Sequence, residues 1–341
     1  MKWSTLFLFF LVLGCKSPAP VTGRAFYFWR TVFSFQSNEQ KELLQLGVQR
    51  LYTRFFDVDY EETLKEAKPI ADIRFGTTVD SLLEIVPVVF ITNRALLESN
   101  DSAMETLGLR ITGRITGIEH SLVGQHLKEV QIDCDWTEST REKYFKLLDA
   151  VKAEFRKFPV LVSATIRLHQ IKYFRRTGVP PVDRGMLMFY NMGKLDDEKT
   201  SNSIYDERTA ASYIQGISDY PLPLDMALPC FSWAVISQNG HVCHLINDVT
   251  EAELNGVAGL RRTDKVHYRV DRQTRLRNIE LSEEQTMRLE QVDAEQCKEA
   301  ARQIESVLKH APVYVAIFHL SKNKYTVHEK QAFEGVFNRF D

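Results

Sequence analysis

Eight short, β-rich apolar runs separated by amphipathic stretches are the feature that most limits the folds open to this chain. The runs cover residues 25–33, 50–57, 86–91, 129–135, 160–169, 185–190, 225–233 and 313–319. Helical periodicity fills several of the gaps, at 40–46, 137–155, 208–217 and 294–308. The second of these is the clearest, because Tyr144, Leu147, Leu148, Val151 and Phe155 recur at steps of three and four on one face. Ser139 or Thr137 would serve as its N-cap. Strand and helix in alternation predict a parallel sheet, and eight such units within 341 residues predict a (β/α)8 TIM barrel. The third and fourth units are the least regular, since 107–118 also fits an extended segment. From 247 to 291 the alternation weakens and charge rises, which marks an insertion between the last two barrel units, either a solvated elaboration or a roof over the site, with a small strand around Val266–Val270.

The N-terminus has a different character. Lys2 precedes an unbroken apolar run over 6–13, then Gly14 and Cys15. A run this short falls below the roughly 20 residues needed to span a bilayer and fits the core of a signal peptide. Val12-Leu13-Gly14-Cys15 resembles a bacterial lipobox, which implies cleavage before Cys15 and acylation of its thiol. The expected organisation is therefore a signal peptide over 1–14, a tether over 15–23 and the barrel over 24–341, held in the cell envelope by the lipid on Cys15. No later segment is long and apolar enough to span, so the body is expected to be soluble. Of the remaining cysteines, Cys134 and Cys230 lie inside apolar runs and are expected to be buried thiols. The C-x-x-C spacing of a zinc cage is missing. With 43 basic against 45 acidic side chains there is no basic field to attract nucleic acid.

The strand ends carry the chemistry. In 129–135, Val130, Ile132 and Cys134 alternate with Gln131, Asp133 and Asp135. Helices outside a barrel require the apolar set to face outward, so the carboxylates point into the barrel near its C-terminal mouth, where barrels of this kind place their sites. Two inward carboxylates are costly unless paired or near solvent. The other strands close in the same way, on Asp57 and Asp59, Arg167 and His169, Tyr190 and Asn191, Trp233, and His319. Asp133 and Asp135 can share a ligand, or salt-bridge Arg167 or Arg30 and merely hold the mouth; Asp57 and Asp59 repeat the spacing. An oxygen-rich cation site from Asp57, Asp133, Asp135 and His169 or His319 would suit magnesium, calcium or manganese, but no local ligand spacing supports it and no metal is assigned. Neither a G-x-G-x-x-G, a P-loop nor a G-x-S-x-G is present, so no cofactor or serine nucleophile is expected.

Ile132-Asp133-Cys134-Asp135-Trp136 resembles the fourth-strand signature of family 18 glycoside hydrolases, the chitinase-like barrels, whose Asp-x-Asp-x-Glu run ends in the acid that protonates the glycosidic oxygen. Met188-Phe189-Tyr190-Asn191 resembles that family's sixth-strand Met-x-Tyr-Asp/Asn, which orients an acetamido group, and Trp233 its late-strand tryptophan. The match covers about fifteen residues on three strands and departs at one decisive place. Thr137 stands where the family has its glutamate, with Glu138 one residue later, and Val130 stands at the family's first aspartate. The stretch from Thr165 through Phe189 is also similar to an uncharacterised family of bacterial lipoproteins with barrel bodies, which implies architecture and location but no activity. The resemblance implies an enzyme acting on a glycan or peptidoglycan-like ligand. Asp135 or Glu138 would be the acid, Asp133 the carboxylate tuning it, and Tyr190 and Asn191 the orienting groups. Asp57, Asp59, Arg167, His169, Trp233 and His319 would bind substrate. The loss at Thr137 favours a silent glycan binder on the same scaffold, and an envelope-assembly lipoprotein recognising protein partners is a further reading.

Overall fold

The structure is a computed structural model that describes residues 22–35, 39–77, 82–119, 122, 126–197, 199–320 and 327–341. The signal peptide, Cys15 and nearly all of the tether lie outside the described residues. Eight parallel strands close into a barrel: β1 (Gly23–Phe28), β2 (Val48–Glu61), β3 (Glu84–Ile91), β4 (Glu129–Cys134), β5 (Leu161–Arg167), β6 (Arg184–Met188), β7 (Leu224–Pro229) and β8 (Tyr314–Phe318). Neighbours in sequence pair in space, and β1 pairs with both β2 and β8 to complete the ring. The main surrounding helices are α1 (Glu39–Gln45), α2 (Ala103–Glu119), α3 (Arg141–Phe155), α4 (Leu168–Lys172), α5 (Glu207–Ile214), α6 (Ala294–Glu305) and α7 (Val327–Phe337). Among the described residues no helix is long and apolar enough to cross a membrane.

Alternation along β4 works as expected. Val130, Ile132 and Cys134 are buried on the outer, helix-covered side, while Gln131 accepts a hydrogen bond from Tyr27 Oη at 2.5 Å inside the ring. Trp136 is also buried outward, stacked on Tyr144 of α3 at 5.0 Å and donating its indole N–H to Thr177 O at 3.0 Å. The floor of the barrel is ionic. Arg50 donates to Glu84 at 2.5 Å and to Glu129 at 2.6 Å and lies over the Tyr314 ring. Such charges are tolerable inside because each meets a partner of opposite sign.

Several expected boundaries shift. β1 ends at Phe28, and Val32–Phe33 leaves the barrel to pair with Arg74–Phe75. β5 ends at Arg167, so His169 sits on α4 instead of on a strand; the Gln170 side chain accepts the Arg167 backbone N–H, as in a capping box. α3 begins only at Arg141, preceded by Thr140 and not by Ser139 or Thr137. Residues 107–118 are helical within α2. The run 225–233 is split: β7 stops at Pro229, and Ser232 opens a five-stranded antiparallel sheet that ends at Gln291. The insertion therefore starts well before residue 247 and contains Trp233. It has its own core, including Ala234, Ile236, Leu254, Tyr268 and Met287, so it is a packed unit and not a solvated elaboration. Cys134, Cys230 and Cys297 are buried, as the apolar runs around the first two predict, and Cys243 is exposed.

Candidate functional site

A cavity of about 580 Å³ opens at the C-terminal mouth of the barrel. Its charged lining comes from strand ends far apart in the chain: Asp57 from β2, Asp133 from β4, Asp135 just past it, and Arg167 from β5. Arg167 is the hub. Its Nε donates to Asp135 in a very close ion pair, and its Nη2 lies 3.6 Å from Asp133 Oδ1. Burial alone would lower the Arg167 pKa, but Asp135 and Asp133 outweigh it and hold the guanidinium firmly charged. Asp133 is almost fully buried and accepts the Thr165 hydroxyl at 2.6 Å. Burial pushes its carboxyl above the usual aspartate range, with the Arg167 charge pulling the other way. Asp57 is tied to Arg54, whose Nε donates at 2.6 Å.

The aromatic lining is equally continuous. Tyr190 packs against Phe318 at 5.0 Å, Phe318 against Trp29 at 5.8 Å, and Phe231 against Trp233 at 5.4 Å. The Tyr190 hydroxyl donates to Met188 Sδ at 2.9 Å, and burial raises its pKa well above the phenol range. Asn191 follows at φ 56°, a left-handed conformation that asparagine tolerates better than most residues. At the far wall His319 is 9% exposed and sets Nε2 3.3 Å from Asp248 Oδ1, joining β8 to the insertion. Its Nδ1 is buried with no hydrogen-bond partner among the described residues.

Of the residues singled out in the sequence, Asp57, Asp133, Asp135, Arg167, Tyr190, Asn191, Trp233 and His319 meet around this one cavity. Three do not. Asp59 points to Arg94 and Thr92, and the hydrogen bonds from Arg94 are the main reason its carboxyl is held down to about 2. Glu138 lies on the outside, 3.0 Å from Arg176, because Trp136 has already turned into the α3 packing. His169 is exposed on α4, its pKa lowered by partial burial. Arg30 binds Glu39 and not the aspartate pair. Sequence reasoning missed Arg54, Leu245, Asn247 and Asp248. Arg54 is hidden mid-strand, Leu245 precedes the stretch 247–291 that charge and weak alternation mark out, and Asn247 and Asp248 stand at its very start. Among the described residues no group of three or more His, Cys, Asp or Glu is placed to hold a metal ion.

A closed ring of eight parallel strands with a charged, aromatic C-terminal mouth is a TIM barrel. No family model matches the chain, and neither does any curated protein. Solved structures do resemble it, and they are chitinase-like barrels of glycoside hydrolase family 18. The spore cortex-lytic enzyme SleL of Bacillus cereus has a TM-score of 0.55 at 12% identity, over 95% of this chain and 76% of that one. A chitinase from Chromobacterium violaceum reaches 0.56 at 7% identity, over 93% and 99%. The family 18 chitinase of Cycas revoluta, solved as a mutant in complex with (GlcNAc)4, reaches 0.55 at 11%, over 94% and 100%. At these identities the likeness is one of fold.

Proposed function

We propose that this chain is a glycoside-hydrolase-like barrel that holds a glycan at its C-terminal mouth without cutting it, displayed from the cell envelope by an acylated Cys15. The observation that carries the reading is the state of the carboxylates. The three that the barrel itself brings to the mouth are engaged: Asp57 by Arg54, and Asp133 and Asp135 by Arg167. Glycosidic cleavage needs a carboxylic acid placed at the leaving oxygen. Thr137 and Glu138 do not supply one here, since neither lines the cavity. What the mouth offers suits recognition. Flat apolar surfaces of Trp29, Trp233 and Phe318 fit the C–H faces of sugar rings, and the ion pairs and Asn191 can bond hydroxyl or acetamido groups. The cavity volume falls within the roughly 300–1,000 Å³ of small-molecule sites.

The Cycas chitinase was solved with (GlcNAc)4, so GlcNAc oligomers and peptidoglycan fragments are the first ligands to try. At a hundred times Kd, binding would stabilise by about 2.7 kcal/mol, which for a chain this size is a rise of about 5 °C in melting temperature. The same samples should release no reducing ends. Turnover that disappears in Asp135→Asn would instead establish a hydrolase. Asp133 favours that second reading, because burial raises its carboxyl above the usual aspartate range, the direction a proton donor needs. The lipid anchor is checked separately: Cys15→Ala should move the protein from the membrane to the soluble fraction, and unchanged fractionation would refute acylation at that residue.

A further inference from the structure

A second cavity, about 890 Å³, adjoins the first and shares Asn191 and Trp233 with it. Its walls are Trp233 on the insertion and the segment after β6, including Gly193, Lys194, Asp196 and Ser203. That segment is folded back on itself: the backbone N–H groups of Met192 and Gly193 both donate to Ser203 O, at 2.9 and 3.0 Å. A Cβ on Gly193 would lie 2.8 Å from Ser203 Cα, so only glycine permits so close a return.

What fixes this wall is Glu290, on the insertion strand Thr286–Gln291 and 1% exposed. One carboxylate oxygen accepts Trp233 Nε1 at 2.8 Å, Ser203 N at 2.7 Å and Ser203 Oγ at 2.5 Å. The other accepts Arg288 Nε at 2.6 Å, and Arg288 Nη2 in turn donates to Leu195 O at 3.0 Å. A single buried carboxylate thus sets the plane of the indole between the two cavities and, with Arg288, pins both ends of the segment that closes the second one. A charge buried this deeply needs hydrogen-bond donors, and both oxygens have them, three on one and one on the other.

We infer that Glu290 is a positioning residue that builds a second sugar subsite beyond Trp233, and that the ligand is an oligosaccharide running from the barrel mouth across the indole into this chamber. The inference rests on the carbohydrate reading and goes further by naming chain length as the property selected. Each cavity is of the size that buries a drug-sized ligand, about two sugar rings, so affinity should grow up to about four rings.

The experiment is calorimetric titration of the full mature chain with (GlcNAc)2 and (GlcNAc)4, with melting curves confirming that each variant is folded. Wild type should bind the tetramer at least about tenfold more tightly than the dimer, a difference of about 1.4 kcal/mol. Glu290→Gln should weaken both lengths, because Trp233 borders both cavities and an amide N–H facing the indole and Ser203 donors lets the ring turn, but it should cost the tetramer more than the dimer and remove most of that gain. Should Glu290→Gln not fold, Lys194→Ala, a change in the lining of the second chamber, tests the same point by weakening the tetramer alone. Equal affinity for both lengths, or variants that weaken both alike, would overturn the second subsite while leaving the carbohydrate reading intact. Absence of binding at either length would overturn both.

Discussion

Asp133 is the residue at which burial, charge and pH meet. Its folded pKa is raised, chiefly by burial, so the folded state binds this proton more tightly than the unfolded chain does. The associated stability is complete below the unfolded value, about 3.9, and is lost as pH rises through the folded value. Asp133→Asn removes that loss, keeps an acceptor for Thr165 and leaves Arg167 its pair with Asp135. Melting temperature of the variant minus that of wild type should therefore climb as pH rises from about 4. A flat difference across that range would mean Asp133 is ionised at little cost. Glu129 and Asp225 are raised by burial too, and taking the difference cancels their share. The inward orientation of Asp133 was legible in the sequence because a strand has period two and the outer side must be apolar. The partner that holds it, Arg167, was visible as a strand-end residue. The fate of Glu138 was not, since it depends on where Trp136 packs, and nothing in a linear pattern states that the strand has already ended.

Helix α2 shows how an element can be misread while its signal is present. Its three glycines and its β-branched residues weaken helix propensity, which is why 107–118 also fits a strand. Yet Met104, Leu107, Gly108, Ile111, Thr112 and Ile115 form one buried face at helical spacing, and tertiary packing on α3 decides the matter. Gly108 is part of that contact: a Cβ there would lie 2.7 Å from Ala150 Cβ and 3.2 Å from Leu147 O. Gly108→Ala gains about 1 kcal/mol of propensity against an overpacking cost of about 1–3 kcal/mol, so the expected result is a net loss of up to about 2 kcal/mol. Gly113 faces open space on the same helix, and Gly113→Ala should stabilise by about 0.5–1 kcal/mol. Urea unfolding of the pair checks this; stabilisation by both would show that the two helices part easily and that the close approach is not required.

At the scale of the whole molecule, the insertion has a core of its own, sets Trp233 and Val235 into that of the barrel, and shares the site with it. The insertion's existence shows in the sequence as lost alternation and rising charge. Its beginning does not, because Cys230, Phe231 and Trp233 continue the apolar run of β7, and a strand buried on both sides gives no periodicity to interrupt. Its two ends lie together: Ser232 pairs with Gln291, and Val292 N donates to Phe231 O at 2.8 Å. A segment that leaves and returns at one point can be removed with little strain on the body that carries it. Replacing 233–290 with a short Gly-Ser linker should therefore leave a barrel that still unfolds cooperatively, since its strands close through β1, β2 and β8 without help from the insertion. The proposed sugar binding should go, because Trp233, Leu245, Asn247 and Asp248 all leave the cavity wall and the segment after β6 loses Glu290 and Arg288. Circular dichroism melts and titration with (GlcNAc)4 separate the two effects. A trimmed barrel that binds the tetramer as tightly as the intact chain would place recognition wholly within the strand ends and remove the insertion from the site.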